Sequence, residues 1–134
     1  TNPVWEWTVA AVSNLNLAEN VQIDADRLML LLRELGAAGA ERVVDRAVDE
    51  IAGRLLLIET SWASADFKTL GRTAQSLIAV ADQIGMHLLA HVSCDVAGLA
   101  QSGDDSALAA SVARLQRVGE SSLLAVWNAQ AFKV

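Results

Sequence analysis

Apolar residues recur every three or four positions along most of this chain, which is the spacing of α-helices that bury one face. The clearest run predicts a long helix from about 38 to 62. Its inward positions are Val44, Val48, Ile51, Leu55, Ile58 and Trp62. Because these positions continue from one end of the run to the other, we expect this helix to be packed along its whole length.

Three further helices follow, separated by short turns around 64–66, Gly85 and 102–104. Their predicted inward positions are Leu70, Ala74, Leu77, Ala81 and Ile84, then Leu88, Val92, Val96 and Leu99 (helix 86–101), then Leu108, Val112, Leu115, Val118 and Ser122. Asp66 or Ser64 is the expected cap of the first, and Asp104 or Asp105 that of the last. Short turns make consecutive helices antiparallel, so we predict an all-α, up-down-up-down four-helix bundle over 38–131.

The first 37 residues predict two additional N-terminal helices. Pro3 could open the first of them, because proline is tolerated at an initial helical turn. Asp24 has the position of an N-cap for a short helix over 25–35, and Gly36 that of its C-terminal stop. With no repeat and no linker, we interpret 1–134 as a single domain.

Composition supports helices and excludes several classes of protein. Hydrophobic residues make up 53% of the chain, with many alanines and leucines, the best helix formers. The single Cys94 excludes a disulfide scaffold. A net charge of −6 argues against a nucleic-acid partner, which needs clustered cations. No uncharged stretch approaches the roughly 20 residues of a membrane span, and no signal peptide is visible. We therefore expect a cytoplasmic protein without a membrane partner.

The segment 66–96, DFKTLGRTAQSLIAVADQIGMHLLAHVSCDV, resembles the core of a histidine-containing phosphotransfer (Hpt) domain. The matching residues are Leu70, Ala74, Ser76, Leu77, Ala81, Ile84 and Gly85. The upstream layout is also similar, and the resemblance covers about 23–129. It implies a four-helix bundle that works in two-component phosphorelay signalling, with a response-regulator receiver domain or a histidine kinase as partner.

Three departures from the family pattern fall on its chemistry. Gln75 stands at the position of the phosphoaccepting His, Ile78 at that of a Lys, and Ala79 at that of a Gly. An amide is no substitute for an imidazole nucleophile, and Ile cannot offset phosphoryl charge. Ala also narrows the space that Gly leaves for a partner. The resemblance thus predicts a pseudo-Hpt domain that is not an enzyme, has no catalytic residue and needs no cofactor.

The predicted partner-binding surface surrounds Gln75. At 3.6 residues per turn, one side of the helix carries the residues that we call the Gln75 face. These are Gly71, Gln75, Ile78, Ala79 and Asp82. The alternative is that Ile78 simply packs against a neighbouring helix.

Other functions remain open at this point. His87 or His91 could be the phosphoacceptor of an active phosphotransfer protein, although neither has the family's Lys and Gly after it. With Cys94 or Asp95 they have helical spacing for a metal, but no further ligand cluster exists. We predict no metal site, and instead a polar stripe with one small buried thiol. The chain could also be an unrelated helical interaction or ligand-binding module.

The four tryptophans also allow predictions. Trp62 and Trp127 lie at helix ends, where we expect them to fill the ends of the bundle. Trp5 and Trp7 could dock a partner or a second copy of the chain.

Overall fold

The computed structural model describes residues 21–131, which contain four helices and no strand. The helices are α1 (Ala25–Ala63), α2 (Phe67–Gln83), α3 (His87–Leu99) and α4 (Asp105–Ala131). The all-α prediction is confirmed. The helix predicted from Pro3, with Trp5 and Trp7, lies outside the described residues.

Helix α1 contains an interruption that separates its two predicted parts. Asp24 is the N-cap, and its carboxylate accepts hydrogen bonds from the backbone N–H groups of Asp26 and Arg27. Gly36 has φ 72° and ψ 175°, which is not helical. Glycine reaches this positive φ without steric cost. The chain therefore forms one short helical part before Gly36 and one long part after it.

The turns between the helices are fixed by aspartate caps. Asp66 accepts from the backbone N–H of Thr69 at 3.1 Å and so begins α2. Asp104 does the same for Ala107 at 3.0 Å before α4. Of the two candidates offered by each turn, the structure selects Asp66 rather than Ser64, and Asp104 rather than Asp105. Ser64 instead ends α1.

Each helix packs against two others: α1 against α2 and α4, and α3 against α2 and α4. The core between them is aliphatic, and its largest fully buried side chains come from all four helices. They include Ile51, Ile58, Leu70, Leu77, Leu89 and Leu115. Within the described residues, no helix combines the length and the apolar character that a membrane span requires.

The predicted inward face of α3 needs a correction. Leu89 is fully buried, whereas Leu88 and Leu99 are only partly buried. The buried side of α3 includes Ser93, whose hydroxyl donates to the carbonyl oxygen of Leu89 at 2.7 Å. This hydrogen bond satisfies the hydroxyl inside the helix itself, so a polar residue can lie in the core. Ser93 was not among the predicted inward positions, so the predicted inward face was turned toward Leu88 and Leu99 and away from Leu89 and Ser93. The helix is also shorter than the predicted 86–101.

Candidate functional site

Gln75 lies on the exposed side of α2, next to the core stripe of that helix. Leu70, Ala74, Leu77 and Ala81 are fully buried. Gln75 follows Ala74 by one residue, or about 100° around the helix, and its side chain is exposed. The burial of the stripe therefore holds the Gln75 amide toward solvent. The Asp66 cap fixes the residue at which this helix begins.

A groove runs beside Gln75 between α2 and α3, and we call it the α2–α3 groove. It has a volume of about 640 Å³. Its lining residues are Phe67, Lys68, Gly71, Arg72, Gln75, Ala97, Ala100 and Gln101. Gly71 is buried. A Cβ atom at position 71 would lie 3.1 Å from the Cβ of Ala100, tighter than ordinary van der Waals contact. Small residues on both helices thus allow their close approach and form the floor of the groove.

Two cations line the groove: Arg72, three residues before Gln75, and Lys68, seven residues before it. Both side chains are exposed, and Asp66 is the acidic group that they influence. The pKa of Asp66 is lowered, mainly by hydrogen bonds from Thr69, with Arg72 and Lys68 contributing through their charge. The sequence analysis missed these cations because the family pattern has its Lys after the phosphoaccepting His, at the position of Ile78, whereas Lys68 and Arg72 precede Gln75. Their spacing from Gln75 along one helix was the available signal.

The other members of the Gln75 face have different surroundings. Ile78 is half-buried and packs against the core, so the alternative interpretation of this residue holds for part of its side chain. Ala79 and Asp82 are exposed and border a second, shallower groove with Arg27, Val80 and Gln83. Of the predicted face, Gln75, Ala79 and Asp82 are therefore exposed to solvent, whereas Gly71 is buried.

His87 bridges two aspartates. Its Nδ1 lies 2.9 Å from Asp82 Oδ1, and its Nε2 lies 2.9 Å from Asp24 Oδ2. Hydrogen bonds to Asp82 and then to Asp24 raise the pKa of His87 above its ordinary value of 6.5. Both ring nitrogens are engaged, which leaves neither free as a nucleophile while the bridge is formed. His91 is more open, with its Nε2 3.8 Å from Asp95.

The side chains considered for a metal do not converge. No group of three His, Cys, Asp or Glu residues that could hold a metal ion occurs in the described part of the chain. Cys94 is exposed, so the predicted buried thiol was wrong. The buried small polar residue of α3 is instead its neighbour Ser93, whose hydroxyl is satisfied by its hydrogen bond to the Leu89 carbonyl oxygen.

The tryptophan predictions hold in one case and fail in the other. Trp62 is half-buried and packs against Phe67, with ring centroids 5.9 Å apart, at the α1–α2 turn. Trp127 is 67% exposed and fills no end of the core. On α4 the core position is Val126 instead, at 2% exposure, and the next residue necessarily points about 100° away.

Comparison of the chain with protein-family models, with curated proteins and with solved structures gave no match in any of the three.

Proposed function

We propose that this chain is an Hpt-like protein of two-component signalling, which binds a receiver domain or a related signalling partner through the Gln75 face and carries no phosphate. The observation that carries the proposal is the position of Gln75. Its amide is exposed, next to a groove with two cations, where the family has its phosphoaccepting imidazole. The surface for a partner is kept while the nucleophile is absent.

We further propose that the four helices form an antiparallel Hpt-like bundle over 38–131, with the part of α1 before Gly36 as an additional helix. The packing of each helix against two others supports this topology. In such a bundle α2 packs against α1 and α3, and the side of α2 that carries Gln75 is exposed to solvent, where a partner can approach it.

The local chemistry supports binding without phosphoryl transfer. A Gln amide has no nucleophilic lone pair comparable to that of imidazole at neutral pH. Lys68 and Arg72 supply positive charge on the groove side, which suits a partner that presents carboxylates, such as the acidic phosphorylation site of a receiver domain. The groove therefore offers charge complementarity to the partner although the transfer reaction is lost.

Binding to a panel of purified receiver domains tests the partner surface. Ile78→Glu places a carboxylate in the middle of the Gln75 face, and we expect it to weaken binding at least tenfold, about 1.4 kcal/mol. Val48→Glu is the matched control, because Val48 is likewise half-buried against the core but lies on α1, outside the face. Equal loss in both variants, or no binding by the unmodified chain, would contradict the proposed surface.

A phosphotransfer assay tests inertness separately. Labelled phosphoryl-receiver or phosphoryl-kinase should leave no stable label on this chain. If label appears, mass spectrometry of His87→Ala and His91→Ala variants will show whether one of them is an alternative phosphoacceptor. Label that depends on His91 would establish the active phosphotransfer alternative and reject the inert one.

Restoring the family residues tests the alignment itself. The triple variant Gln75→His, Ile78→Lys, Ala79→Gly should gain acid-labile phosphorylation from a receiver that binds the unmodified chain. The double variant Ile78→Lys, Ala79→Gly is the control, because it has the same added positive charge but no imidazole nucleophile. Absence of transfer in the triple variant, with binding retained, would reject the placement of Gln75 at the phosphoacceptor position.

A further inference from the structure

The bridge between Asp24, His87 and Asp82 joins parts of the chain that are far apart in sequence. Asp24 precedes α1, Asp82 lies in the last turn of α2 and His87 begins α3. Both hydrogen bonds to the imidazole are 2.9 Å long, and the one to Asp24 spans 63 residues. The structure thus places one imidazole between two carboxylates that have no other cation at this distance in the described residues.

The bridge is part of a junction that fastens the start of α1 to the α2–α3 turn. The backbone N–H of Asp24 donates to the carbonyl oxygen of Gly85 at 2.9 Å. The Nε of Arg27 donates to the carbonyl oxygen of Gln83 at 2.9 Å. Through this junction the first part of α1 covers the core with Leu31, which is 5% exposed. Leu28 and Leu32 pack against the same core.

The number of protons on the imidazole decides whether both carboxylates can be satisfied. An imidazolium has two N–H donors, one for each aspartate, whereas a neutral imidazole has one donor and one lone pair. After deprotonation one of the two carboxylates faces a lone pair at hydrogen-bonding distance. We propose that protonation of His87 is a pH-sensitive latch that holds the first part of α1, residues 24–35, on the α2–α3 turn.

The surroundings of His87 allow it to titrate. Its side chain is 57% exposed, so protons reach it directly. The charged groups that face it are Asp24 from the segment before α1 and Asp82 from α2, with Arg27 next to them on the Gln83 carbonyl. On α3 itself, His91 lies one turn further and is directed to Asp95. Both facing charges are negative, so they favour the imidazolium.

The direction of the effect follows from these charges. The pKa of His87 is raised in the folded chain above 6.5, with Asp82 the largest cause and Asp24 the second. The contribution of the bridge is therefore complete below 6.5 and is lost as the pH rises through the folded-state pKa. A rise in pH should loosen residues 24–35 while the remaining helices stay packed.

Amide hydrogen exchange resolved by residue tests the latch. Rates for 25–35, corrected for the intrinsic pH dependence of exchange, should increase severalfold when the pH is raised from below to above the His87 pKa. Rates in the centre of α2, around Leu77, provide the internal reference and should not change in the same way. A uniform change in both regions, or none in 25–35, would overturn the proposal.

Three variants distinguish the latch from general stability. His87→Gln has no titration and should abolish the pH dependence of exchange in 25–35, whereas the control His91→Gln should keep it. Asp24→Asn retains a side-chain oxygen for the N-cap but presents an NH₂ group to the imidazole, so the His87 pKa measured by NMR should fall. An unchanged His87 pKa in Asp24→Asn, or pH dependence that persists in His87→Gln, would reject the latch.

Discussion

At the scale of single residues, Gly85 shows how a turn can depend on one missing side chain. Its φ is +80°, and a Cβ at this position would lie 3.0 Å from both the Cβ and the carbonyl oxygen of Asp24. Gly85→Ala should therefore lower the free energy of unfolding by about 1–3 kcal/mol, from left-handed backbone strain and crowding together. Urea denaturation followed by circular dichroism measures this change.

The control for Gly85→Ala is Gly53→Ala. Gly53 lies within α1, and a Cβ there would meet no atom within 4 Å. Alanine is better than glycine in an exposed helix by up to about 1 kcal/mol, so this variant should be neutral or more stable. Similar destabilisation by both substitutions would mean that the close approach of Gly85 to Asp24 has no energetic consequence.

At the scale of helices and turns, the sequence predicted most of what the structure shows where a local signal exists. Asp24, Gly36 and Asp66 are local signals, and the helices begin or break at them. The spacing of apolar residues is also a local signal, and it predicted the buried stripe of α2 and the exposure of Gln75 beside it. The register of α3 was not predicted, because burial of Ser93 depends on its hydrogen bond to Leu89, which hydropathy does not express. The Asp24–His87 contact spans 63 residues and leaves no pattern in the chain.

The N-cap of α2 should make the stability of this helix depend on pH. The pKa of Asp66 is lowered from 3.8, chiefly by the hydroxyl and backbone N–H of Thr69. The stabilisation by the carboxylate is therefore present above 3.8 and is lost as the pH falls through the lower, folded-state pKa. Asp66→Asn keeps a capping oxygen but does not titrate. The unmodified chain should be more stable than Asp66→Asn at neutral pH, and the difference should vanish in acid.

Chemical denaturation of both chains at neutral and strongly acidic pH measures this difference. Asp105→Asn is the control, because Asp105 is exposed at the start of α4 while Asp104 provides the cap there. A stability difference between the unmodified chain and Asp66→Asn that is constant with pH would contradict the charged cap.

At the scale of the whole molecule, the distribution of charge matters more than its sum. The chain has a net charge of −6, which on its own repels an acidic partner at long range. The α2–α3 groove has the opposite local character, because Lys68 and Arg72 line it and Asp66 is the acidic group beside them. Another pair of exposed cations, Arg42 and Arg46, lies on α1, where Arg46 pairs with Glu50. The net charge alone argued only against nucleic acid, whereas the position of the cations favours one surface for an acidic partner.

This arrangement predicts that two equal changes in net charge will have unequal effects on binding. Lys68→Ala with Arg72→Ala should slow association with a receiver domain by about tenfold at low salt, and added salt should reduce the difference. Arg42→Ala with Arg46→Ala removes the same two charges away from the groove and should have a much smaller effect. Stopped-flow association rates at several salt concentrations measure both. Long-range repulsion depends on the net charge of the chain, whereas docking depends on the side chains that the partner contacts. Equal slowing by the two pairs of substitutions would therefore show that the partner responds to net charge and not to the groove.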